Sequence, residues 1–182
     1  NLEKFQNDLN IISEFLLKIS DDDHLLNGIL KDILVRSKTF GLNFVSLDIR
    51  QHSETHEYAI DEIIKHAKPD VKYGELNETQ KCDLLESLIL SANNEIIIDK
   101  NKLSHISNEV INTFKIIKEA YDIDKSLIST YIISMTHATS DVLEILFLGK
   151  ISGLVESGTR GYKSFLNVIP LYETIGDLKN AP

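Results

Sequence analysis

Three polar residues, each at the end of a short apolar stretch, are the first candidates for chemistry in this sequence. They are Arg50, Ser134 and Glu173. The guanidinium of Arg50 is a rigid fork of hydrogen-bond donors that suits a carboxylate or a phosphate group. We therefore predict an anion site at Arg50, built on the end of a strand.

The apolar stretches that precede these residues predict three strands, near residues 43–49, 130–135 and 167–171. The first contains Leu42, Phe44, Val45, Leu47 and Ile49, and this composition predicts a strand that is buried. Helical sequence separates the strands, which indicates repeated βα units around a parallel sheet. In barrels of such units the functional residues lie at the carboxyl ends of the strands. We therefore expect the three polar residues to share one rim.

The segments between the strands have apolar residues at helical spacing. The first two helices, around residues 2–16 and 26–34, are separated by Asp21–Asp23 and predict an antiparallel pair. Further helix starts are predicted at polar capping residues: Ser53, Asn77 with Gln80, Ser107, and Thr139 or Ser140. The polar segment 156–161 contains two glycines and predicts a loop.

Composition excludes several classes of protein. The 182 residues are 42% hydrophobic and 26% charged, which is typical of a soluble globular protein. No apolar run is long enough to span a membrane. The net charge of -9, without a basic cluster, disfavours a nucleic-acid surface. The single cysteine excludes an intrachain disulfide and indicates an intracellular setting.

Other residue types with possible chemistry have simpler interpretations. His52 and His56 are spaced i, i+4, which can place two imidazoles on one helix face for zinc, but no third ligand is evident. His137 follows the second strand and could face the rim, but a surface histidine or one with satisfied hydrogen bonds is the preferred interpretation. Cys82 lies in an apolar helix and is predicted to be a small buried side chain. Arg160 lies between glycines and is interpreted as a solvated loop residue.

Three ordered sequence blocks resemble one enzyme family. The blocks are Phe40–Leu42 followed by Leu47–Gln51, then Tyr131–Met135 with Ser140–Leu143, then Pro170–Thr174 with Asp177–Leu178 and Asn180–Ala181. This set resembles phosphoenolpyruvate carboxylase over essentially the whole chain. The resemblance implies a predominantly helical α/β fold, with about three parallel strands and helical insertions forming part of a (β/α)8 TIM-type barrel wall.

The resemblance also implies roles for individual residues. The family carboxylates phosphoenolpyruvate with bicarbonate, giving oxaloacetate and phosphate, and uses Mg²⁺ or Mn²⁺. Arg50 then corresponds to the arginine that contacts the substrate phosphate, and Leu171 to the leucine that lines the pocket for the substrate methylene. Glu173 corresponds to a ligand of the divalent metal, for which a hard oxygen is suitable. The whole protein is expected to be a cytoplasmic lyase and a homo-oligomer, as a tetramer.

Structural interpretations of the same residues remain open. Without the resemblance, Arg50 is expected to pair with Asp48 or with a neighbouring helix. Glu173 precedes a predicted helix at Thr174 and is also explained as an acid near a helix N-terminus. Leu171 is an ordinary core residue in most proteins. The metal, phosphate and methylene roles therefore depend on the family match.

The sequence lacks other parts of the family's active site. No His-Pro-Thr-Glu block, which contains the catalytic histidine in the family, is present. The second metal carboxylate and a glycine- and arginine-rich loop belong downstream of the matched blocks. Three strands cannot close a barrel, which needs about eight strands and ~250 residues. We therefore expect residues 1–182 to be a single fragment of a larger barrel domain, inactive by itself.

Some positions depart from the family pattern. Tyr172 replaces the commoner phenylalanine, Gly176 stands at a position that is usually acidic, and residues 136–139 differ from the usual sequence after the second strand. A degenerate relative is therefore one alternative. A non-catalytic carboxylase-like helical scaffold or interaction module is a second, and a small anion-binding sensor that uses Arg50 is a third.

Overall fold

A computed structural model describes residues 2–19, 28–42, 45–91, 96, 98–158 and 161–181. The chain divides into two compact units, Asn1–Ser46 and Leu47–Pro182. Most of the described residues are helical. None of their helices combines the length and the apolar character needed to cross a membrane.

The first unit is a helix pair. Helix α1 (Leu2–Ile19) and helix α2 (Ile29–Phe40) run antiparallel, because Gln6 near the start of α1 donates a 2.8 Å hydrogen bond to the carbonyl of Ser37 near the end of α2. This confirms the predicted pair. The predicted break at 21–23 lies outside the described residues, as does Leu26. Helix α1 buries none of its residues within this structure.

The second unit contains the remaining elements. Its helices are α3 (Ser53–Ala67), α4 (Glu78–Leu90), α5 (His105–Ile123), α6 (Thr139–Ile151) and α7 (Ile175–Asn180). Two 3₁₀ turns, Tyr73–Glu75 and Lys100–Lys102, flank α4. Its strands are β1 (Leu47–His52), β2 (Ile128–Ser134), β3 (Val155–Gly158), β4 (Gly161–Ser164) and β5 (Asn167–Pro170).

Strands β1, β2 and β5 form a parallel sheet with β2 in the middle. In its register Ile49 pairs with Tyr131, and Tyr131 pairs with Val168. The predicted parallel arrangement of the three strands is therefore confirmed, and their carboxyl ends lie at one edge. Three strands are fewer than the eight of a closed TIM barrel.

The first strand lies further along the sequence than predicted. It was expected over residues 43–49, but β1 runs from Leu47 to His52 because its hydrogen-bonded partner β2 begins at Ile128, which pairs with Leu47. Leu42, Val45 and Leu47 were expected to be buried and are 57%, 55% and 59% exposed. Residues 43 and 44 lie outside the described part. Arg50 therefore lies within the strand and not after its end.

The two faces of the parallel sheet have different environments. Tyr131 is 1% exposed and stacks on Phe114 of α5 at a ring-centroid distance of 5.1 Å, so helices cover its face. Side chains alternate between faces along a strand, which places Arg50 and Ile169 on the opposite face. Ile169 is 43% exposed there. The second face is therefore less buried than the first, although parallel sheets are normally covered on both sides.

The helices bury one continuous core against the covered face. Helix α6 is buried almost all around, from Leu143 through Leu148, while α5 buries one side. The predicted apolar side of α5 is confirmed at its four central positions: Val110, Ile111, Phe114 and Ile117. Such burial on a sheet face contributes roughly 25 cal/mol for each Å² of apolar surface removed from water. This core fixes the sheet that carries the polar rim residues.

Several predicted boundaries are confirmed and others are corrected. The capping box of Asn77 and Gln80 is present, with both reciprocal hydrogen bonds at 3.0 Å. Helix α3 is capped by the His52 ring and not by Ser53, whose hydroxyl is used by another partner. Helix α5 is capped by Ser104 and begins at His105, two residues before the predicted start.

The segment 156–161 was predicted to be a loop, but its described residues, 156–158 and 161, belong to two paired strands. Strands β3 and β4 pair antiparallel, with Glu156 opposite Lys163 and Gly158 opposite Gly161. Gly161 has a φ of 124°, which glycine adopts without steric cost. The glycines therefore serve the turn region of a hairpin. Residues 159 and 160, including Arg160, lie outside the described part.

Candidate functional site

The three residues predicted to share a rim lie in contact at the carboxyl edge of the parallel sheet. Arg50 of β1 donates from Nε to Oγ of Ser134 at 2.6 Å, and from Nη2 to Oε1 of Glu173 at 2.9 Å. Ser134 is the last residue of β2, and Glu173 follows β5. One guanidinium thus connects β1 to the last residue of β2 and to the segment that follows β5.

The Arg50–Glu173 ion pair is accessible to solvent. The Arg50 side chain is 58% exposed and the Glu173 side chain 34% exposed. Ion pairs with this exposure contribute little to stability, about 0–1 kcal/mol. An incoming anion or cation can therefore replace either partner at low cost. The pairing of Arg50 that was expected with Asp48 or a helix is instead made with Glu173.

Met135, directly after β2, has a backbone conformation that is rare for its residue type. Its φ is 53°, in the left-handed region, where a residue with a Cβ typically costs about 1–3 kcal/mol. Its N–H donates to Oε2 of Glu173 at 3.1 Å, and its carbonyl accepts from the hydroxyl of Ser53 at 2.6 Å. The Glu173 carboxylate is therefore oriented by a backbone N–H and by Arg50 together.

Leu171 continues the sheet one residue beyond β5. Its N–H donates to the carbonyl of Ile133 at 2.9 Å, and its carbonyl accepts from the N–H of Thr136 at 3.0 Å. Both backbone groups are thus anchored to β2 and the residues that follow it. The side chain of Leu171 is half-buried, and the residue lies two positions before Glu173.

A histidine–carboxylate pair links the two segments that follow β2 and β5. Nδ1 of His137 lies 2.7 Å from Oδ1 of Asp177, whose side chain is 9% exposed. The hydrogen bond to Asp177 raises the pKa of His137, and the nearby carboxylates of Asp141 and Glu54 act in the same direction. The preferred interpretation from sequence, a surface or satisfied histidine, agrees with this half-exposed and paired side chain, but the sequence did not identify its partner.

The possible zinc site at His52 and His56 is not supported. His56 is fully buried and its Nε2 lies 2.8 Å from the hydroxyl of Tyr131, while burial and then the neighbouring His52 lower its pKa to about 3. The His52 ring accepts the N–H of Glu54 and caps α3. Among the described residues, no group of three or more His, Cys, Asp or Glu side chains has an arrangement that could hold a metal.

Cys82 is half-buried and packs against the core, which is close to its predicted role. Burial and the adjacent Glu78 carboxylate raise the pKa of its thiol to about 11. A thiol of this kind is protonated at neutral pH and is a poor nucleophile.

Sequence reasoning missed a buried acid in α6. Glu144 is 1% exposed and accepts a 2.7 Å hydrogen bond from the hydroxyl of Tyr73. Burial is the main cause that raises its pKa to about 8, and the nearby carboxylates of Asp141 and Glu57 add to it. Its second carboxylate oxygen has no partner among the described residues. A single acid inside the apolar stretch 142–148 was the signal that could have identified it.

Glu173 is the acid at this edge with the chemistry to bind a divalent cation. Mg²⁺ commonly uses one or two carboxylates and completes its coordination with waters and substrate phosphates. A partly exposed carboxylate, adjacent to a guanidinium that suits phosphate, fits one part of such a site. The geometry can therefore receive an anion at Arg50 and a hard cation at Glu173.

Comparison with known proteins agrees with the three sequence blocks. The family model for phosphoenolpyruvate carboxylase matches residues 1–182. The phosphoenolpyruvate carboxylase of Synechococcus sp. (strain WH7803) is 35% identical over 184 aligned residues, which cover 100% of this chain and 18% of that protein. The enzyme of Rhodothermus marinus is 33% identical over 98% of this chain and 20% of its own length.

A third relative extends the comparison. The phosphoenolpyruvate carboxylase of Thermosynechococcus vestitus (strain NIES-2133 / IAM M-273 / BP-1) is 38% identical over 84% of this chain and 15% of that protein. The chain thus spans about a fifth or less of the length of the curated relatives it matches. With a match to the family over every residue, this chain belongs to the phosphoenolpyruvate carboxylase family.

Proposed function

We propose that this chain forms one wall of the active site in a complete phosphoenolpyruvate carboxylase. That enzyme would carboxylate phosphoenolpyruvate with bicarbonate to give oxaloacetate and phosphate. The observation that carries the proposal is the contact of Arg50 with both Ser134 and Glu173 at one sheet edge. An anion-binding group and a cation-binding group are thereby held side by side, as a reaction of a phosphorylated substrate with a metal requires.

In this proposal Arg50 binds the substrate phosphate. The hydrogen bond from its Nε to Ser134 fixes the orientation of the guanidinium, and Nη2 is the group that leaves Glu173 for a phosphate oxygen. The positive charge of Arg50 stays on one side of the phosphoryl group as that group is transferred. Such a preorganised charge stabilises negative charge that develops in the transition state.

Leu171 and Glu173 complete the roles assigned to this edge. The Leu171 side chain would line the apolar pocket for the substrate methylene, held by the two backbone hydrogen bonds to the β2 region. Glu173 would hold Mg²⁺ or Mn²⁺. The metal, when bound, supplies positive charge beside substrate oxygens on which negative charge grows. The N–H of Met135 limits the rotation of the Glu173 carboxylate before the metal arrives.

We also propose that the parallel sheet is a segment of a (β/α)8 TIM-type barrel. Three parallel strands with one helix-covered face and one partly exposed face are expected of a barrel wall seen without its other strands. Arg50 and Ile169 would then face the barrel interior. The position of the polar edge at the carboxyl ends of the strands agrees with the location of active sites in such barrels.

The metal role is tested with Glu173→Gln in the complete protein. The amide keeps the size of the side chain but removes its charge, so the concentration of Mg²⁺ or Mn²⁺ needed for half-maximal activity should rise. Glu75→Gln is the matched control, because Glu75 also forms an exposed 2.9 Å ion pair, with Lys72, away from this edge. An unchanged metal requirement in Glu173→Gln would show that Glu173 is not a ligand.

A further inference from the structure

The His137–Asp177 pair fixes the segment that carries Glu173. Asp177 is 7% exposed and belongs to the first turn of α7. Its Oδ2 accepts the N–H of Thr174 at 3.0 Å, and its own N–H donates to the Thr174 hydroxyl at 3.1 Å. Thr174 is the residue directly after Glu173. The conformation of the Glu173 backbone is therefore coupled to Asp177 through a single reciprocal capping box.

His137 is itself held in place at its backbone. Its N–H donates to Oδ2 of Asp141 at 2.7 Å, and the N–H of Ala138 donates to the same oxygen at 3.1 Å. Asp141 is buried in the first turn of α6. The imidazole thus extends from an anchored loop after β2 to an anchored turn after β5. The contact joins two loops that are otherwise connected near the site through Met135 and Thr136.

We propose that His137, in its protonated form, is a positioning residue that holds the Glu173 carboxylate in place for a divalent cation by clamping Asp177. This inference rests on the proposed metal role of Glu173. Loss of the imidazolium charge removes the ion pair with Asp177 and loosens the turn that follows Glu173. Cation affinity at this edge is therefore pH-dependent through a residue that does not touch the cation.

The charges around His137 determine the direction of this dependence. The carboxylates that face it are Asp177 of α7, Asp141 of α6 and Glu54 of α3, and all three favour the imidazolium. The pKa of His137 is therefore raised above its ordinary value of 6.5, and that of Asp177 is lowered, first by the hydrogen bond to Thr174 and then by His137. The clamp is present at low pH and is lost as the pH rises through the raised pKa of His137.

The His137–Asp177 ion pair is tested first, by a measurement that does not depend on enzyme activity. The rate at which diethyl pyrocarbonate modifies His137 in the complete protein is followed by mass spectrometry against pH, because only the neutral imidazole reacts. We expect the midpoint to lie above the ordinary histidine value of 6.5 and to fall in Asp177→Asn. His105, which is exposed and lies 3.6 Å from Glu109, is the internal control. An ordinary midpoint that Asp177→Asn leaves unchanged would overturn the proposal.

The positioning role is tested by the binding of Mn²⁺ alone, measured as free Mn²⁺ by electron paramagnetic resonance. At pH 6.5, His137→Gln should raise the Mn²⁺ Kd by about 10-fold, the lower end of the range for removing a group that orients a metal ligand. The ratio to wild type should fall toward one at pH 8.5. His105→Gln should leave Kd unchanged. His137→Lys keeps a cation at both pH values and should restore affinity while removing the pH-dependent difference.

Failure of this inference is distinguishable from failure of the proposed function. If Glu173→Gln weakens Mn²⁺ binding but His137→Gln does not at either pH, the positioning role is wrong and the metal role stands. If Glu173→Gln leaves Mn²⁺ binding unchanged, the metal role fails and this inference fails with it. If His137→Gln weakens Mn²⁺ binding equally at both pH values, or if His137→Lys does not restore the affinity, His137 has only a structural role.

Discussion

Nη2 of Arg50 lies 2.9 Å from Oε1 of Glu173, although 123 positions separate the two residues in the sequence. The pair bridges β1 and the segment after β5, across the end of β2. In the proposed function, each partner must exchange the other for a ligand: Arg50 for a phosphate and Glu173 for a metal. The ion pair therefore competes with both ligands. Binding of phosphate to Arg50 frees Glu173 for the metal, and binding of the metal to Glu173 frees Arg50 for phosphate.

This competition predicts that removing the negative charge of Glu173 increases the affinity of the protein for phosphate. In metal-free complete protein, Glu173→Gln should bind inorganic phosphate more tightly than wild type, by up to about 5-fold. The limit follows because an exposed ion pair of this kind holds Arg50 by about 1 kcal/mol or less. Isothermal titration calorimetry gives the affinity, with Glu75→Gln as the control. Weaker phosphate binding in Glu173→Gln would contradict the exchange.

Arg50 itself is tested by removing its charge. In the complete protein Arg50→Gln should reduce turnover by at least ~10²-fold, the usual scale for losing one preorganised electrostatic donor. The fold should survive, because the Arg50 side chain is 58% exposed. Steady-state kinetics at saturating metal measures the effect, and Lys72→Gln, from the exposed Lys72–Glu75 pair, is the control. Near-normal kinetics in folded Arg50→Gln would return Arg50 to a structural role.

The sequence could predict which polar residues meet at the carboxyl edge of the parallel sheet, because this depends only on the order and direction of the strands. Three apolar stretches separated by helices imply parallel strands, and parallel strands present their carboxyl ends at one edge. Arg50, Ser134 and Glu173 were therefore expected together and lie in contact. The catalytic roles of these residues came from the family resemblance and not from the pattern, and they remain proposals.

The limits of β1 could not be predicted from apolar residues alone. A strand begins where its partner offers hydrogen bonds, and β2 offers the first to Leu47 through the carbonyl of Leu127 at 2.8 Å. Two apolar residues before it, Leu42 and Val45, are exposed. Apolar character alone does not show that a residue is buried or in a strand, because apolar atoms contribute much of the surface of a folded protein.

The polar pairs of the second unit were missed for a different reason. His137 and Asp177 are 40 positions apart, and Tyr73 and Glu144 are 71 apart. Helix capping boxes are local and have sequence signatures, as Asn77 and Gln80 illustrate. Contacts between distant segments depend on how helices pack on the sheet, which a local pattern does not determine.

The chain by itself is predicted to be catalytically inactive. It contains no His-Pro-Thr-Glu block, and its described residues contain no metal cluster of three or more ligands. The 182-residue chain should therefore form no oxaloacetate from phosphoenolpyruvate and bicarbonate, with Mg²⁺ or with Mn²⁺. A coupled assay with malate dehydrogenase measures this. Turnover well above the blank in contaminant-free protein would refute it, and would require an active site complete within these residues.

The buried Glu144 predicts how stability depends on pH. Its pKa is raised from 4.5 to about 8, chiefly because burial disfavours the carboxylate, and the carboxylates of Asp141 and Glu57 add to the effect. The hydrogen bond from Tyr73 and the charge of Lys81 oppose it. The folded state therefore holds a proton that the unfolded chain has released above pH 4.5. The contribution of Glu144 to stability is complete below that pH and is lost as the pH rises toward 8.

Glu144→Gln removes this titration while keeping an oxygen for the hydroxyl of Tyr73. Between pH 5 and pH 8.5 the wild type should lose unfolding free energy relative to Glu144→Gln, by on the order of 2 kcal/mol. This is below the upper bound set by ~1.4 kcal/mol for each pKa unit. Urea unfolding of the chain at the two pH values measures the shift, and Glu75→Gln, at an exposed acid, should show none. A pH-independent difference for Glu144→Gln would mean that Glu144 is ionised in the folded protein, with its charge balanced by the hydrogen bond from Tyr73 and by the positive charge of Lys81.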